Sequence, residues 1–236
     1  MMPNEVAGQS ARSGSGQTLV ERAYEHLLSM LMTVAIAPGE RIPIDTVARQ
    51  LGISQTPIRE ALSQLEAKKL VFKTANVGYR ASPQMTPEEV HDLYTLRLLI
   101  EPYAAARAAE RMDDEALVIL QSIQAEMTAV VEHDEQAYAR FAEADTQLHH
   151  LIARGSGNRL IEETSEQLHA HLQIFRSLYQ IKCPERPNAP EEAAREHQLI
   201  VAALMAHDPV AAEQSVRDHL IRSQQRMDRA IAVFRP

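Results

Sequence analysis

Near the middle of the chain, the run Glu143-Ala144-Asp145-Thr146-Gln147-Leu148-His149-His150 sets a carboxylate and an imidazole four positions apart. On a helix, Asp145 and His149 share one face, about one turn apart. Phe141, Leu148 and Ile152 flank that face, so it points inward, where an unpaired carboxylate is costly and needs a partner. His197 heads another helical run, with Ile200, Val201 and Leu204 following at core spacing, and His219 lies in the last one. Three histidines and one carboxylate from three helices suit zinc, with nickel and manganese as alternatives. An Asp–His pair at this spacing is also common without a metal, and the chain has ten histidines, so spacing alone leaves both readings open. His150 is turned roughly 100° away from His149. His169 and His171 cannot both face such a site. His26, His91, His133 and His207 read as ordinary helix or loop residues.

A metal there could catalyse, hold structure or sense. Catalysis needs an open coordination position and a nearby base. Glu143 and Glu163 are close in sequence, but nothing marks either as a base. Arg97 sits at helical spacing with Val90, Leu93, Ile100 and Ala104. An inward arginine wants an anion, and its planar fork suits a carboxylate. Leu96, Leu99 and Tyr103 form a rival stripe that would leave Arg97 on a polar face.

The elements that must carry these residues are helices. Glycine is scarce, at 8 of 236 residues, and 45% of the chain is hydrophobic, with 4% aromatic. This length allows one large domain or two small ones. The single cysteine, Cys183, rules out a disulfide framework within the chain and fits a reducing cytoplasm. No apolar run approaches the roughly 18–20 residues needed to span a bilayer. Residues 1–17 are polar, lack a signal-peptide core and read as a disordered arm. A soluble, cytoplasmic, mainly α protein without a membrane partner is expected.

The net charge of −8 hides an asymmetry. From Arg41 to Arg80 there are seven basic residues against three acidic ones, a net +4, as in a basic module joined to an acidic one. In the first module, residues 18–83, Thr18 can cap a helix over 19–33. A short helix fits 45–51 and stops at Gly52. Ser54 can cap a third helix over 55–69, with Pro57 in its first turn. Two short strands, 70–73 and 79–82, follow around a turn ending in Gly78. That order is a winged helix-turn-helix, as against a small helical domain with no DNA role. The second module, residues 84–236, reads as an all-helical antiparallel bundle that could enclose a cavity. Its helices are predicted over 86–111, 114–131, 134–154, 158–179, 190–207 and 208–233, with the segment 182–190 as its long loop.

The run PGERIPIDTVARQLGISQTPIREALSQLEAKKLVFKTANVGYRAS resembles the DNA-binding domain of the GntR family of bacterial transcription regulators, most specifically in TPIREAL and LEAKKLV. LYTLRLLIEPYAA, ADTQLHHLIARGSGN and REHQLIVAALMAHDPVAAEQSVRDHL resemble the helical ligand-binding domain of its FCD branch. The resemblance implies a homodimeric repressor on a pseudo-palindromic DNA operator, controlled by a small organic acid held near a divalent metal. Its metal pattern carries over to Asp145, His149, His197 and His219, and Arg97 becomes a candidate for the effector carboxylate. Thr56, Arg59 and Gly78 match the DNA-binding pattern. Asp45, Gln55 and Val77 stand where the family often has basic residues, so its usual operator does not carry over.

On that reading Gln55, Thr56 and Arg59 open the recognition helix and enter the major groove. Gln55 could read adenine where arginine would read guanine. Asp45 would turn from the phosphates or meet a cytosine amino group. Arg41, Arg49, Lys73 and Arg80 would contact phosphates, which position without specifying sequence. Lys68 reads as a solvated charge. A metal-dependent enzyme acting on a small acid, and a sensor of the ion itself, are the alternatives.

Overall fold

The computed structural model describes residues 18–129, 137–182 and 190–232. The expected arm over 1–17, His133, and the loop with Cys183 lie outside the described residues. Thr18 opens α1 (Leu19–Met32) with a reciprocal cap. Its hydroxyl accepts the Glu21 amide at 3.1 Å, and the Glu21 carboxylate accepts the Thr18 amide at 2.8 Å. Two amides that helix geometry leaves without partners are satisfied together. Helix α2 (Ile44–Leu51) stops at Gly52, whose φ of 66° suits a residue without Cβ. Ser54 is the N-cap of α3 (Gln55–Ala67), as expected, with an extended backbone and no side-chain cap bond.

Strands β1 (Val71–Thr74) and β2 (Gly78–Ala81) pair antiparallel, with Val71 opposite Ala81 and Thr74 opposite Gly78. Each lies one residue from its expected place. The reason is the end of α3: the Leu70 amide donates back to the Leu65 carbonyl at 3.0 Å, and the Lys69 amide to that of Glu66 at 2.9 Å. Leu70 is thus part of the helix termination and the strand proper starts at Val71, although the Leu70 carbonyl still accepts the Ser82 amide at 3.0 Å. Ala23, Leu27 and Leu31 of α1, Val47 of α2, and Ile58, Leu62 and Leu65 of α3 form the buried core of this unit. Each large apolar side chain withdrawn from water contributes about 1.5–3 kcal/mol.

The chain divides into two compact units at Gln84/Met85. The second contains α4 (Pro87–Arg111), α5 (Asp114–Ala129), α6 (Ala137–Gly155), α7 (Arg159–Lys182), α8 (Pro190–Met205) and α9 (Pro209–Ala232). Thr86 and Glu89 form a second reciprocal cap, with Pro87 in the first turn of α4, where a missing N–H costs nothing. The apolar face of α6, Phe141, Ala144, Leu148 and Ile152, packs with Leu120 and Ile123 of α5, Ile200 and Leu204 of α8, and Val216 and Leu220 of α9. A Cβ on Gly155 would stand 2.7 Å from Met112 Cγ, so glycine lets the end of α6 close against the end of α4. A second cluster joins Val90, Leu93 and Tyr94 of α4 to Leu172 and Phe175 of α7 and Met227 of α9. On α4 the two competing stripes are resolved: Arg97 is fully buried, while Leu96, Leu99 and Tyr103 face outward, with Leu99 72% and Tyr103 53% exposed. Among the described residues, no helix is long and apolar enough to cross a membrane.

Candidate metal centre and nucleic-acid-reading surface

Four of the singled-out residues meet inside the helical unit. Asp145 and His149 project from the inward face of α6, His197 from α8 and His219 from α9. All four are buried, and one donor atom from each lies within 4.8 Å of every other. The rings of His197 and His219 are 4.3 Å apart between centroids, and those of His149 and His219 are 5.3 Å apart.

The outer nitrogens of His149 and His219 have carboxylate partners, whereas Nδ1 of His197 is buried without a hydrogen-bond partner among the described residues. His149 Nδ1 lies 3.0 Å from Glu101 Oε2, and His219 Nδ1 lies 2.8 Å from Glu196 Oε2. The inner nitrogens do not: Nε2 of His149, His197 and His219 is buried without a hydrogen-bond partner among the described residues. His197 Nε2 lies 3.3 Å from Asp145 Oδ1, without the alignment of a hydrogen bond. Buried donors and acceptors rarely go unpaired. Three imidazole nitrogens and one carboxylate oxygen facing a common point suit a divalent ion, and a carboxylate behind the imidazole is how metal-binding histidines are oriented.

The electrostatics agree. Burial, then the charge of His219, holds His197 well below its ordinary range, against the pull of Asp145. Burial pushes His219 down to about 4, although the bond to Glu196 works the other way. Both rings are therefore neutral near pH 7, the form that binds a metal. Burial alone would raise Asp145; Arg176, followed by the histidines, outweighs it and keeps the carboxyl ionised. Arg176 Nη1 donates to Asp145 Oδ2 at 2.8 Å and its Nη2 to Ser223 Oγ at 3.1 Å, while Ser223 Oγ meets Tyr94 OH at 2.8 Å. Arg226 grips both oxygens of Glu196, at 2.7 and 2.9 Å.

Arg97 finds its anion within the chain. Its Nε donates to Glu101 Oε1 at 2.6 Å and its Nη2 to Oε2 at 3.2 Å, while Nη1 is buried without a partner among the described residues. Glu101, His149 and His169 also lie within ligand distance of one another. There Glu101 is paired with Arg97 and also meets His149 Nδ1. Of the pair that could not both face the site, His169 is buried and touches Glu101 at 3.2 Å, while His171 is half-buried. His150 stands apart, 3.8 Å from Glu162. Glu143 and Glu163 pair with Gln147 and Arg159 on the surface.

Sequence reasoning missed Glu101, Arg176, Glu196 and Arg226. Glu101 carried one signal, its position four residues after Arg97. The other partners meet only through tertiary packing.

In the winged unit Thr56, Arg59, Arg41, Arg49 and Lys73 have exposed side chains, and Gly78 closes the strand turn with φ 99°. Arg80 is half-buried, and its Nη1 donates to the Gly39 carbonyl at 2.7 Å, so part of its fork braces the wing. Arg49 is drawn along its own helix, 3.3 Å from the Asp45 carbonyl and 3.3 Å from the Thr46 hydroxyl. Lys68 is not simply solvated: its ammonium lies 5.3 Å from the centre of the Tyr24 ring, within cation–π reach. Gln55 is exposed, but its amide is engaged at both ends: Nε2 donates to Asp45 Oδ1, and Oε1 accepts from Arg59 Nη2 at 3.2 Å.

The architecture is thus a winged helix-turn-helix followed by an all-helical unit with a histidine-lined centre. Family comparison makes this specific. Residues 19–80 match the model of the bacterial regulatory proteins of the gntR family, and residues 92–222 match that of the FCD domain. The chain belongs to the GntR family, FCD branch, and is a transcription regulator of that type. It is 24% identical to the HTH-type transcriptional repressor GlaR of Escherichia coli over 84% of this chain and 90% of that one. It is 27% identical to the Uxu operon transcriptional regulator of Escherichia coli over 89% and 88%. The solved structure of E. coli McbR/YncC superposes with a TM-score of 0.78 at 21% identity, covering 93% of this chain and all of that one; that likeness is one of fold. The families and relatives are transcription regulators, not enzymes.

Proposed function

We propose that this regulator is a repressor that binds a pseudo-palindromic operator as a homodimer. A small organic acid, bound beside a divalent metal in the helical unit, controls it. Asp145, His149, His197 and His219 would hold the ion, zinc first by their chemistry. The observation that carries this reading is the convergence of three partnerless imidazole nitrogens on one carboxylate oxygen. The ion would supply a positive charge able to hold an effector carboxylate. The unpartnered Nη1 of Arg97 favours an anionic effector over a sensor of the ion alone.

Repression is supported by the likeness to GlaR. The outward stripe of Leu96, Leu99 and Tyr103 on α4 supports a homodimer, since such a face on a helix asks for an apolar partner. Thr56 and Arg59 would meet bases, with Arg41, Arg49 and Lys73 on phosphates. For control, the effector must bind two arrangements of the protein unequally.

Fluorescence anisotropy on DNA upstream of this protein's own gene, against scrambled DNA at fixed salt, tests the reading. It is run with zinc, after chelation, and with a panel of small carboxylic acids. Binding that one acid changes, that chelation makes indifferent to that acid, and that Arg59→Ala abolishes is the expected result. An acid response that persists in His149→Ala after chelation would remove the metal from the scheme. Sedimentation of Leu99→Glu tests the dimer; an unchanged mass distribution would place the interface elsewhere.

A further inference from the structure

Asp45 and Gln55 hydrogen-bond to each other. Asp45 belongs to α2, and Gln55 is the first residue of α3, across the Gly52 turn. Gln55 in turn accepts from Arg59, one turn further along α3. An amide has a donor end and an acceptor end. Here the donor end faces a carboxylate and the acceptor end a guanidinium, so only one orientation of the amide satisfies both neighbours. We propose that Asp45 and Gln55 act as a single specificity unit that aims Arg59 at one guanine. Gln55 itself does not read adenine.

The proposal rests on the winged unit's role in DNA binding. Gln55 is committed at both ends, so a two-bond contact with adenine competes with both existing bonds. Arg59 gives one donor to Gln55 and keeps the rest of its fork for guanine O6 and N7, the geometry that suits a guanidinium. A tethered arginine has less freedom to lose on binding than one free to swing. Asp45 contributes twice. It anchors the amide, and its negative charge beside the reading helix opposes phosphate contacts, which supply most non-specific affinity. The pair therefore gains discrimination by fixing Arg59 and by weakening attachment to arbitrary DNA.

The test uses the full chain to select from a pool of randomised duplex DNA. Affinities are then measured for the selected site, for the site with each guanine replaced, and for scrambled DNA. Arg59→Ala should abolish preference at one guanine. Asp45→Ala and Gln55→Ala should each reduce that same preference by roughly tenfold. The double variant should be no worse than either single, because the two act as one. Asp45→Ala should also bind scrambled DNA more tightly than the unaltered chain. All three side chains are exposed, so the variants are expected to fold, and far-UV circular dichroism checks this. Losses that multiply in the double variant, or an unchanged guanine preference in Asp45→Ala, would overturn the proposal while leaving DNA binding intact. An unaltered chain that selects no sequence would overturn the DNA reading of the winged unit, and this proposal with it.

Discussion

Glu196 Oε2 lies 2.8 Å from His219 Nδ1, and the residue next to Glu196 is His197, whose ring faces the same centre. Two neighbours on α8 thus meet the same cluster, His197 directly and Glu196 through His219. His197 offers a donor nitrogen, and Glu196 turns the donor nitrogen of His219 inward. Arg226 and His219 hold Glu196 down to about 2 against the effect of burial, so it is a carboxylate at any working pH. Glu196→Gln keeps the shape but loses the charge that orients and strengthens the imidazole. Zinc affinity, measured by competition with a chromophoric chelator, is expected to fall about 10- to 100-fold. An unchanged affinity would show that His219 does not depend on this partner.

The metal-free protein should weaken in acid. Burial, then Arg97, pushes His169 down to about 4 against the attraction of Glu101, and His219 is also near 4. Unfolded, both titrate near their ordinary value of about 6.5. At pH 7 each is neutral in both states. As the pH falls below 6.5, the unfolded chain takes up protons that the folded chain refuses, and stability declines until about pH 4. Each group accounts for a loss on the order of 3 kcal/mol over that window. Urea titrations of chelated protein at pH 7, 6, 5 and 4 measure it, and a flat profile between 6.5 and 4 would contradict the burial of these rings.

Arg97→Met should destabilise the helical unit by about 3–5 kcal/mol, because it strands the Glu101 carboxylate in the core. Arg97→Met with Glu101→Leu should recover most of that loss, since neither charge then remains unpaired. Chemical denaturation of the two variants decides the point. A double variant as weak as the single one would mean that the pair's worth lies in its contacts with His149 and His169.

Lys69 takes a left-handed backbone, φ 59°, in the helix-ending position that glycine fills most easily. Lys69→Gly should relieve that strain and stabilise the winged unit by about 1 kcal/mol. A lowered midpoint would point instead to the lysine side chain as a source of stability.

The sequence carried the backbone better than the electrostatics. Thr18 and Thr86 each precede a glutamate by three residues, and both reciprocal caps formed; Gly52 stopped α2 through its own backbone freedom. These are local interactions, readable over a few residues. The first strand starts one residue later than expected, with the pairing register unchanged, because the return bond from Leu70 to Leu65 is a property of the whole α3 terminus. The inward face of α6 was legible as a period. The partners of Asp145 and His219 were not: Arg176 is 31 positions from Asp145, and Glu196 is 23 from His219. No helical period links residues that meet only when separate helices dock. The spacing leaves Arg97 between an inward stripe and a polar one, and packing decides for the inward one. Its partner at i+4 was visible too, but so short an offset occurs often on solvated helix faces.

Asp145 and His149 are neighbours on one helix, whereas His197 and His219 reach them only after α8 and α9 have packed against the rest. An unfolded or half-assembled chain can offer an ion no more than the first two donors. A metal held by all four would therefore bind the finished bundle and pass over the unfinished one. Loading would then act as a checkpoint on assembly: only correctly built copies of the regulator would become competent to answer a signal.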